Sequence, residues 1–84
     1  MTTSEQDTYG RLLAALRPGR LRFALIQLRD RAQAEDIVQE TLAAAWGKLG
    51  QFREEADLKT WVTAILKNKI ADLSERTSVL RGYL

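Results

Sequence analysis

The acidic and amide side chains between Glu35 and Glu40 are the first group in this sequence whose types and spacing could do chemistry. A helix would place Asp36, Gln39 and Glu40 on one face, because residues three and four positions apart are neighbours on a helix surface. Such a face can pair with arginines of a partner protein. It is also stable as a plain solvated face, since acids near a helix N-terminus interact favourably with its dipole. A catalytic carboxylate pair is a third interpretation, but nothing nearby supplies a pocket or a cation.

The polar segment FREEADLKTW, residues 52–61, begins and ends with an aromatic side chain. In one interpretation it connects two helices, with Phe52 and Trp61 in the core and the acids at the start of the second helix. In the other, Trp61, Lys67 and Asn68 bind an unpaired nucleotide strand. Aromatic faces stack on bases, while amides and cations hold base edges and phosphates. The residues alone leave both interpretations open.

Lys69 and Asp72 form a third polar feature, because both fall close to the apolar stripe of the last predicted helix. The common arrangements there are a lysine whose stem covers apolar surface and a carboxylate tied to a buried arginine. A strand-binding role for Lys69 is the alternative. The arginines of the predicted helix from about Arg20 to Arg29 could bind phosphate, although scattered arginines on a small helix usually only keep it soluble.

The composition restricts the kinds of function that are open to the chain. Its 84 residues suffice for one small domain whose apolar residues are mostly committed to a single core. The sequence contains no cysteine and no histidine. This excludes thiolate nucleophiles, disulfides, zinc sites and Ser-His pairs. We therefore expect no enzyme, no cofactor and no metal site. There is no apolar run of membrane-spanning length and no secretory signal, so we expect a soluble, cytoplasmic protein.

Charge is distributed unevenly along the chain. The net charge is only +2, yet six arginines lie between Arg11 and Arg31, where Asp30 is the single acid. The acids Glu35, Asp36 and Glu40 follow shortly afterwards. Two surfaces of opposite sign indicate two partners.

Apolar residues recur at helical spacing almost throughout, which predicts an all-α fold without strands. Ser4 can cap a first helix that Pro18-Gly19 ends or sharply kinks, with its second part running from about Arg20 to Arg29. The predicted fold is a compact bundle of three long helices, the first one broken near Pro18.

The second and third long helices have clearer start and stop signals. Asp30 is an N-cap with Gln33 as its capping-box partner, and Gly50 is the stop signal of that helix. Asp57 can cap the last helix, which reaches about Glu75. Its predicted inner stripe is Leu58, Val62, Ile65, Leu66 and Leu73, with Asp57, Trp61, Ala64, Asn68 and Ala71 on an adjacent face.

The helix after Asp30 has two sharply different faces at about 100° per residue. Its predicted inner face is Ala34, Val38, Thr41, Leu42, Ala45 and Leu49. Its opposite face is Asp36, Gln39, Glu40, Ala43 and Gly47. A solvated face would ordinarily carry long Lys and Glu side chains, whereas Ala43 and Gly47 are small. Small residues beside a short polar cluster would let another helix approach closely.

Several motifs follow one another in the order and spacing of a known family. They are AEDIVQET at 34–41, AW at 45–46 with Leu49, FR at 52–53, TWV at 60–62, and KN at 67–68 with Asp72 and Arg76. Together they resemble region 2 of bacterial RNA polymerase sigma factors of the extracytoplasmic-function (ECF) group. The typical pattern of that group is A-E-D-x-V-Q-E-T, A-W-x-x-L-x-x-F-R, T-W-L and R-N-x-x-x-D-x-x-R. A weaker match extends over residues 16–33, so the resemblance covers most of the chain.

The resemblance implies two binding surfaces and no catalysis. The first would dock on the clamp-helix coiled coil of the polymerase β′ subunit through Asp36, Gln39, Glu40 and Ala43. The second would hold the unpaired non-template strand of the promoter −10 element, with a base extruded into a pocket, and so favour the melted promoter. Its implied residues are Phe52, Arg53, Glu54, Glu55, Ala56, Asp57, Lys59, Trp61, Lys67 and Asn68.

Three positions depart from the family pattern. Glu54 stands where Gly is common, and a Cβ disfavours the positive φ values open to glycine, so the path of the loop would differ. Leu58 stands where Phe is common, and Ala64 where Arg is common. The lost arginine would remove a phosphate or ion-pair contact, which affects DNA affinity more than polymerase docking.

The resemblance also suggests a domain organisation and partners. Residues 1–76 would form the region 2 domain, and residues 77–84 a frayed end or the start of a linker to a missing region 4 domain. The chain would then be a fragment or an unusual single-domain member, monomeric when free, with an anti-sigma factor as a further partner. The alternative function is a protein-interaction bundle that keeps polymerase or anti-sigma binding without DNA binding.

Overall fold

The computed structural model describes residues 3–52 and 57–82 of the chain. Helix α1 spans Thr3–Leu28, α2 spans Arg31–Gly47 and α3 spans Leu58–Gly82, with a short 3₁₀ turn at Leu49–Gln51. No residue within those two stretches is in a β-strand. The predicted all-α fold of three long helices is therefore confirmed.

The predicted break in the first helix is wrong, because α1 continues through Pro18. Proline has no backbone N–H, so the carbonyl of Ala14 loses its usual helical partner. Ala14 and Pro18 are both exposed, and water can satisfy that carbonyl. Buried Leu13 and Ala24 lie on either side of the proline and hold both halves of the helix on the core.

The start of α1 also differs from the prediction. The helix already includes Thr3, so Ser4 lies inside it and is not its N-cap. The carbonyl of Ser4 accepts a hydrogen bond of 3.0 Å from the hydroxyl of Thr8. This is the bond that Ser and Thr side chains commonly make to the preceding helical turn.

The connection between α1 and α2 is very short, and its N-cap was predicted correctly. Asp30 has an extended backbone, with φ −144° and ψ 116°, and its Oδ1 accepts a 3.0 Å hydrogen bond from the N–H of Gln33. Arg29, directly before it, has φ 55°, in the left-handed region. A helix that ends on a left-handed residue and is followed at once by an N-cap changes direction within two residues.

Helix α2 ends without a left-handed glycine. The helix ends at Gly47, and the N–H of Lys48 donates to the carbonyls of Ala44 and Ala45 at 3.0 and 3.2 Å. Gly50, the predicted stop, lies in the 3₁₀ turn that follows. Because a tightened 3₁₀-type turn satisfies terminal carbonyls as well, the helix can stop without a left-handed glycine.

Helix α3 begins as predicted and runs further than predicted. The N–H of Trp61 donates to the carbonyl of Asp57 at 3.0 Å, and the N–H of Lys59 reaches Asp57 Oδ1 at 3.4 Å. The helix extends beyond Glu75 to Gly82. The proposed domain boundary after residue 76 stays a prediction.

The core lies where the three helices meet. One buried cluster is Ala24, Ala34, Ile37, Val38, Leu66 and Ile70, and a second is Leu13, Ala45 and Val62. The predicted inner face of α2 is buried apart from half-buried Leu42, and buried Thr41 donates its hydroxyl to the carbonyl of Ile37 at 2.7 Å. Ile37 and Ile70 are core residues that the predicted stripes omitted, because each lies at the margin of its helix's apolar face.

Candidate functional site

The outer face of α2 is open, as its spacing predicted. Asp36, Gln39, Glu40, Ala43 and Gly47 are all exposed, and we call these five residues the acidic face. A Cβ built on Gly47 would meet nothing within 4 Å. The face therefore presents two carboxylates and an amide, continued by two residues with almost no side chain. A partner helix can approach closely along this surface.

A groove of about 250 Å³ runs beside the acidic face, between α2 and α3. It brings Asp36 and Glu40 together with Lys69 and Asp72, and its lining also includes Gln33, Ile37 and Leu73. Lys69 is half-buried, as predicted for a lysine whose stem covers apolar surface. Asp72 is exposed and forms no ion pair with any described residue, so the predicted tie to a buried arginine is absent there.

The described part of the chain contains one ion pair, on the neighbouring face of α2. Arg31 Nε lies 3.2 Å from Glu35 Oε1, one turn apart along the helix. This pair engages Glu35, whereas neither Asp36 nor Glu40 forms an ion pair with a described residue. The carboxylates of the acidic face are thus available to a cationic partner.

Phe52 and Trp61 lie together, in contact with a third aromatic residue. The ring centroids of Phe52 and Trp61 are 5.1 Å apart, and those of Phe52 and Tyr9 are 6.1 Å apart in an edge-to-face arrangement. Trp61 is half-buried and packs against the cluster of Leu13, Ala45 and Val62. Both aromatics at the ends of the polar segment therefore have a packing role, and only part of Trp61 faces solvent.

The middle of the polar segment lies outside the described residues. Arg53, Glu54, Glu55 and Ala56 belong to it, so the interpretation of this stretch as a base-reading loop stays a prediction. The expected effect of Glu54 on the path of the loop also stays a prediction.

The outer side of α3 carries a second, open groove. It is lined by Asp57, Lys59, Thr60, Thr63, Ala64 and Lys67, and we call it the basic groove. Asn68 follows Lys67 in the sequence and is exposed, but it does not line this groove. Of the predicted DNA-binding residues, the structure thus brings Asp57, Lys59 and Lys67 to one groove of α3, whereas Asn68 and Lys59 lie about 180° apart around the helix.

Helix α1 reaches the basic groove through Arg20, whose contact with α3 was not predicted from the sequence. Arg20 Nη1 donates to Thr63 Oγ1 at 3.0 Å, across 43 positions of sequence. The recognisable sequence motifs lie in residues 34–73, and Arg20 is one of several arginines that precede them. Helical spacing places Thr60, Thr63, Ala64 and Lys67 on one face, but it does not say which helix packs beside them.

Trp46, in the AW motif, was also not assigned to a surface. It is 46% exposed. Its indole lies beside Gly10 of α1, where a Cβ would be 3.6 Å from the ring, an ordinary van der Waals distance.

The described residues contain neither a cluster of metal-binding side chains nor a membrane-spanning helix. No group of three His, Cys, Asp or Glu side chains within residues 3–52 and 57–82 is placed to hold a metal ion. No helix in that same part of the chain is long and apolar enough to cross a membrane.

Comparison with protein families and comparison with individual proteins identify the same family. The family described as Sigma-70 region 2 matches residues 12–78. A probable RNA polymerase sigma factor of Haemophilus influenzae is 43% identical over 60 residues, which cover 71% of this chain and 31% of the relative. The probable RNA polymerase sigma factor RfaY of Xanthomonas campestris pathovar campestris is 36% identical over 67 residues, covering 80% and 17% respectively. The chain therefore spans less than a third of either relative's length.

Proposed function

Because the chain belongs to the Sigma-70 region 2 family, we propose that it is the polymerase-binding and promoter-recognition module of an ECF-type sigma factor. The observation that carries this proposal is the pairing of two exposed surfaces of different character on one small bundle. The acidic face of α2 suits a basic protein partner, and the basic groove of α3 suits a polyanion. The proposed role is non-enzymatic, because RNA synthesis belongs to the polymerase. We place it in the cytoplasm, together with the polymerase.

The acidic face would dock on the clamp-helix coiled coil of the polymerase β′ subunit. Asp36 and Glu40 would pair with arginines, and the amide of Gln39 would add a hydrogen bond at the centre of the contact. Ala43 supports this assignment, because its exposed methyl allows a helix to pack closely where a long side chain would hold it away. Charge pairs of this kind also speed encounter and select the partner.

The DNA-binding surface would hold the non-template strand of the −10 element unpaired. Lys59 and Lys67 would neutralise phosphates, Asn68 would hydrogen-bond a base edge, and the open part of Trp61 would stack on a base. Capture of an extruded base would offset the few kcal/mol needed to unstack it. The segment from Phe52 to Asp57 would complete this surface.

Strand binding is tested with a fluorescent single strand that carries candidate −10 sequences, in the presence of core RNA polymerase. We expect the strand to bind more tightly than its duplex, and Trp61→Ala and Asn68→Ala to weaken binding. Ala71→Ser, on an exposed position of the same helix, is the matched control that should change nothing. Equal and negligible binding of strand and duplex would rule out promoter melting by this module.

Docking is tested by co-purification with the β′ coiled coil. The double change Asp36→Arg with Glu40→Arg reverses the charge of the acidic face and should abolish co-purification. Asp7→Arg with Glu75→Arg makes the same change of net charge at exposed positions on α1 and α3 and should leave it intact. Retained binding by the first variant would show that the acidic face is only solvated.

The packing of Trp61 favours one second candidate function. Its contacts with Phe52 and with a core cluster give Trp61 a structural role that needs no DNA. A bundle with intact docking and no strand binding would then be a protein-interaction module for polymerase or an anti-sigma factor. Co-purification with β′ together with absent strand binding would identify it.

A further inference from the structure

The hydrogen bond between Arg20 and Thr63 joins α1 to the wall of the basic groove. Arg20 Nη1 donates to Thr63 Oγ1 at 3.0 Å, and Thr63 Oγ1 itself donates to the carbonyl of Lys59 at 2.7 Å. A hydroxyl has one proton to give and lone pairs to accept with, so both bonds can exist at once. Thr63 thus holds one corner of the guanidinium, and the remaining N–H groups of Arg20 are not used by this bond.

The charge of Arg20 is not neutralised by this arrangement. Its partner is a neutral hydroxyl, and no described carboxylate lies within ion-pair distance of the guanidinium. Of the six residues that line the groove, two are lysines and one, Asp57, is an acid. Asp57 directly precedes α3, whereas Arg20 meets the groove at Thr63, one helical turn before Lys67, and so adds a third cation there.

The shape of the groove suits an extended chain more than a compact ligand. Its floor consists of the short side chains of Thr60, Thr63 and Ala64, which share one face of α3 at spacings of three and four. The long side chains of Lys59 and Lys67 lie at its two ends, about 12 Å apart along the helix axis at 1.5 Å per residue. Half-buried Arg20 borders this floor from α1.

We propose that Arg20 binds a backbone phosphate of the single strand in the basic groove, and that Thr63 positions its guanidinium for that contact. The inference rests on the proposed function and adds α1 to its DNA-binding surface. Arginine suits the role because its planar fork can donate two parallel hydrogen bonds to phosphate oxygens. Pre-positioning by Thr63 lowers the side-chain entropy lost on binding.

The experiment is a salt titration of strand binding by the full 84-residue chain with core polymerase. Each phosphate contact to a single strand adds about 0.7 to the slope of log K against log salt. Arg20→Gln should therefore lower that slope by about 0.7 and weaken binding roughly fivefold at low salt. Arg22→Gln removes the same charge from an exposed position on α1, about 200° around the helix from Arg20, and should leave the slope unchanged.

Two further pairs of variants separate a phosphate contact from a simple tie between helices. Thr63→Val keeps the shape of the side chain and removes the acceptor, so binding should weaken while Thr63→Ser retains it. Ala64→Glu places an acid in the groove next to Thr63, the residue that holds Arg20, without altering Arg20, and should weaken binding more than Ala64→Gln does. Ala64 is exposed, so this pair stays informative even if Arg20→Gln fails to fold.

The outcomes distinguish this inference from the proposed function. Equal salt slopes for Arg20→Gln and Arg22→Gln, with the unaltered chain still binding, would overturn the role of Arg20 and leave the proposed function standing. Equal effects of Ala64→Glu and Ala64→Gln would show that the strand does not pass through this part of the basic groove, which would overturn the role of Arg20 and the phosphate contacts of Lys59 and Lys67 with it. No strand binding by the unaltered chain would overturn the proposed function, and this inference with it.

Discussion

The acidic face of α2 and the basic groove of α3 differ in how many helices build them. All five residues of the acidic face belong to α2, and all are exposed on one side of it. The basic groove lies on α3, but Arg20 of α1 borders it through a hydrogen bond to Thr63. A surface on one helix depends on that helix alone, whereas a surface on two helices also depends on how they pack. The two surfaces should therefore respond differently to the same kinds of change.

The largest expected effect comes from Leu66, which supports both surfaces. Leu66 is fully buried on α3 and packs in the cluster that includes Ile37 and Val38 of α2. Leu66→Ala should lower the free energy of unfolding by about 3 kcal/mol, because it removes buried methyl groups and leaves a cavity. That is a substantial share of the roughly 4–13 kcal/mol expected for a domain of this size. Urea denaturation measures the loss, and both binding activities should fall together.

Leu12→Ala is the matched control for this change. Leu12 is 46% exposed on α1. The same substitution there should cost well under half as much, since less apolar surface leaves water on folding. Equal losses for the two variants would contradict the position of the core between α2 and α3.

A medium effect is expected from adding bulk to each surface in turn. Ala43 and Ala64 are exposed, so Ala43→Leu and Ala64→Leu should each change the free energy of unfolding by less than about 0.5 kcal/mol. Ala43→Leu should weaken polymerase binding about tenfold, because a misfitting side chain in a close helix contact typically costs 1–3 kcal/mol. It should leave the salt dependence of strand binding as it is.

Ala64→Leu should show the reverse pattern. It fills the floor of the basic groove and should weaken strand binding while polymerase co-purification is unchanged. Ala71→Leu, exposed further along α3, should affect neither measurement. If Ala43→Leu or Ala64→Leu lost both polymerase binding and strand binding, the two surfaces would not be separate.

Whether a feature depends on one helix or on two also explains how much of it could be predicted from the sequence. The acidic face, the inner side of α2 and the Asp30 cap depend on spacing within one helix, and the structure has each of them where it was predicted. The Arg20 to Thr63 contact depends on which helix lies beside α3, and periodicity carries no such information. The break at Pro18 was predicted from a local cost that packing of Leu13 and Ala24 on either side overrides.

The smallest expected effect lies at the connection that sets α1 against α2. Arg29 has φ 55°, a left-handed conformation that costs an L-residue about 1 kcal/mol and costs glycine almost nothing. Glycine loses more backbone entropy on folding, which offsets part of that gain. Arg29→Gly should therefore raise the free energy of unfolding by about 0.5 kcal/mol and Tm by about 3 °C.

Arg22→Gly tests the reason for this gain. It removes the same exposed side chain from inside α1, where glycine costs about 1 kcal/mol relative to a good helix former, so Tm should fall. Opposite signs for the two variants would show that the conformation of Arg29, and not its charge, limits stability at this connection. A fall in both would show that the left-handed residue is held there without strain. Because neither arginine belongs to the acidic face or the basic groove, polymerase docking and the salt slope of strand binding should stay unchanged in both variants.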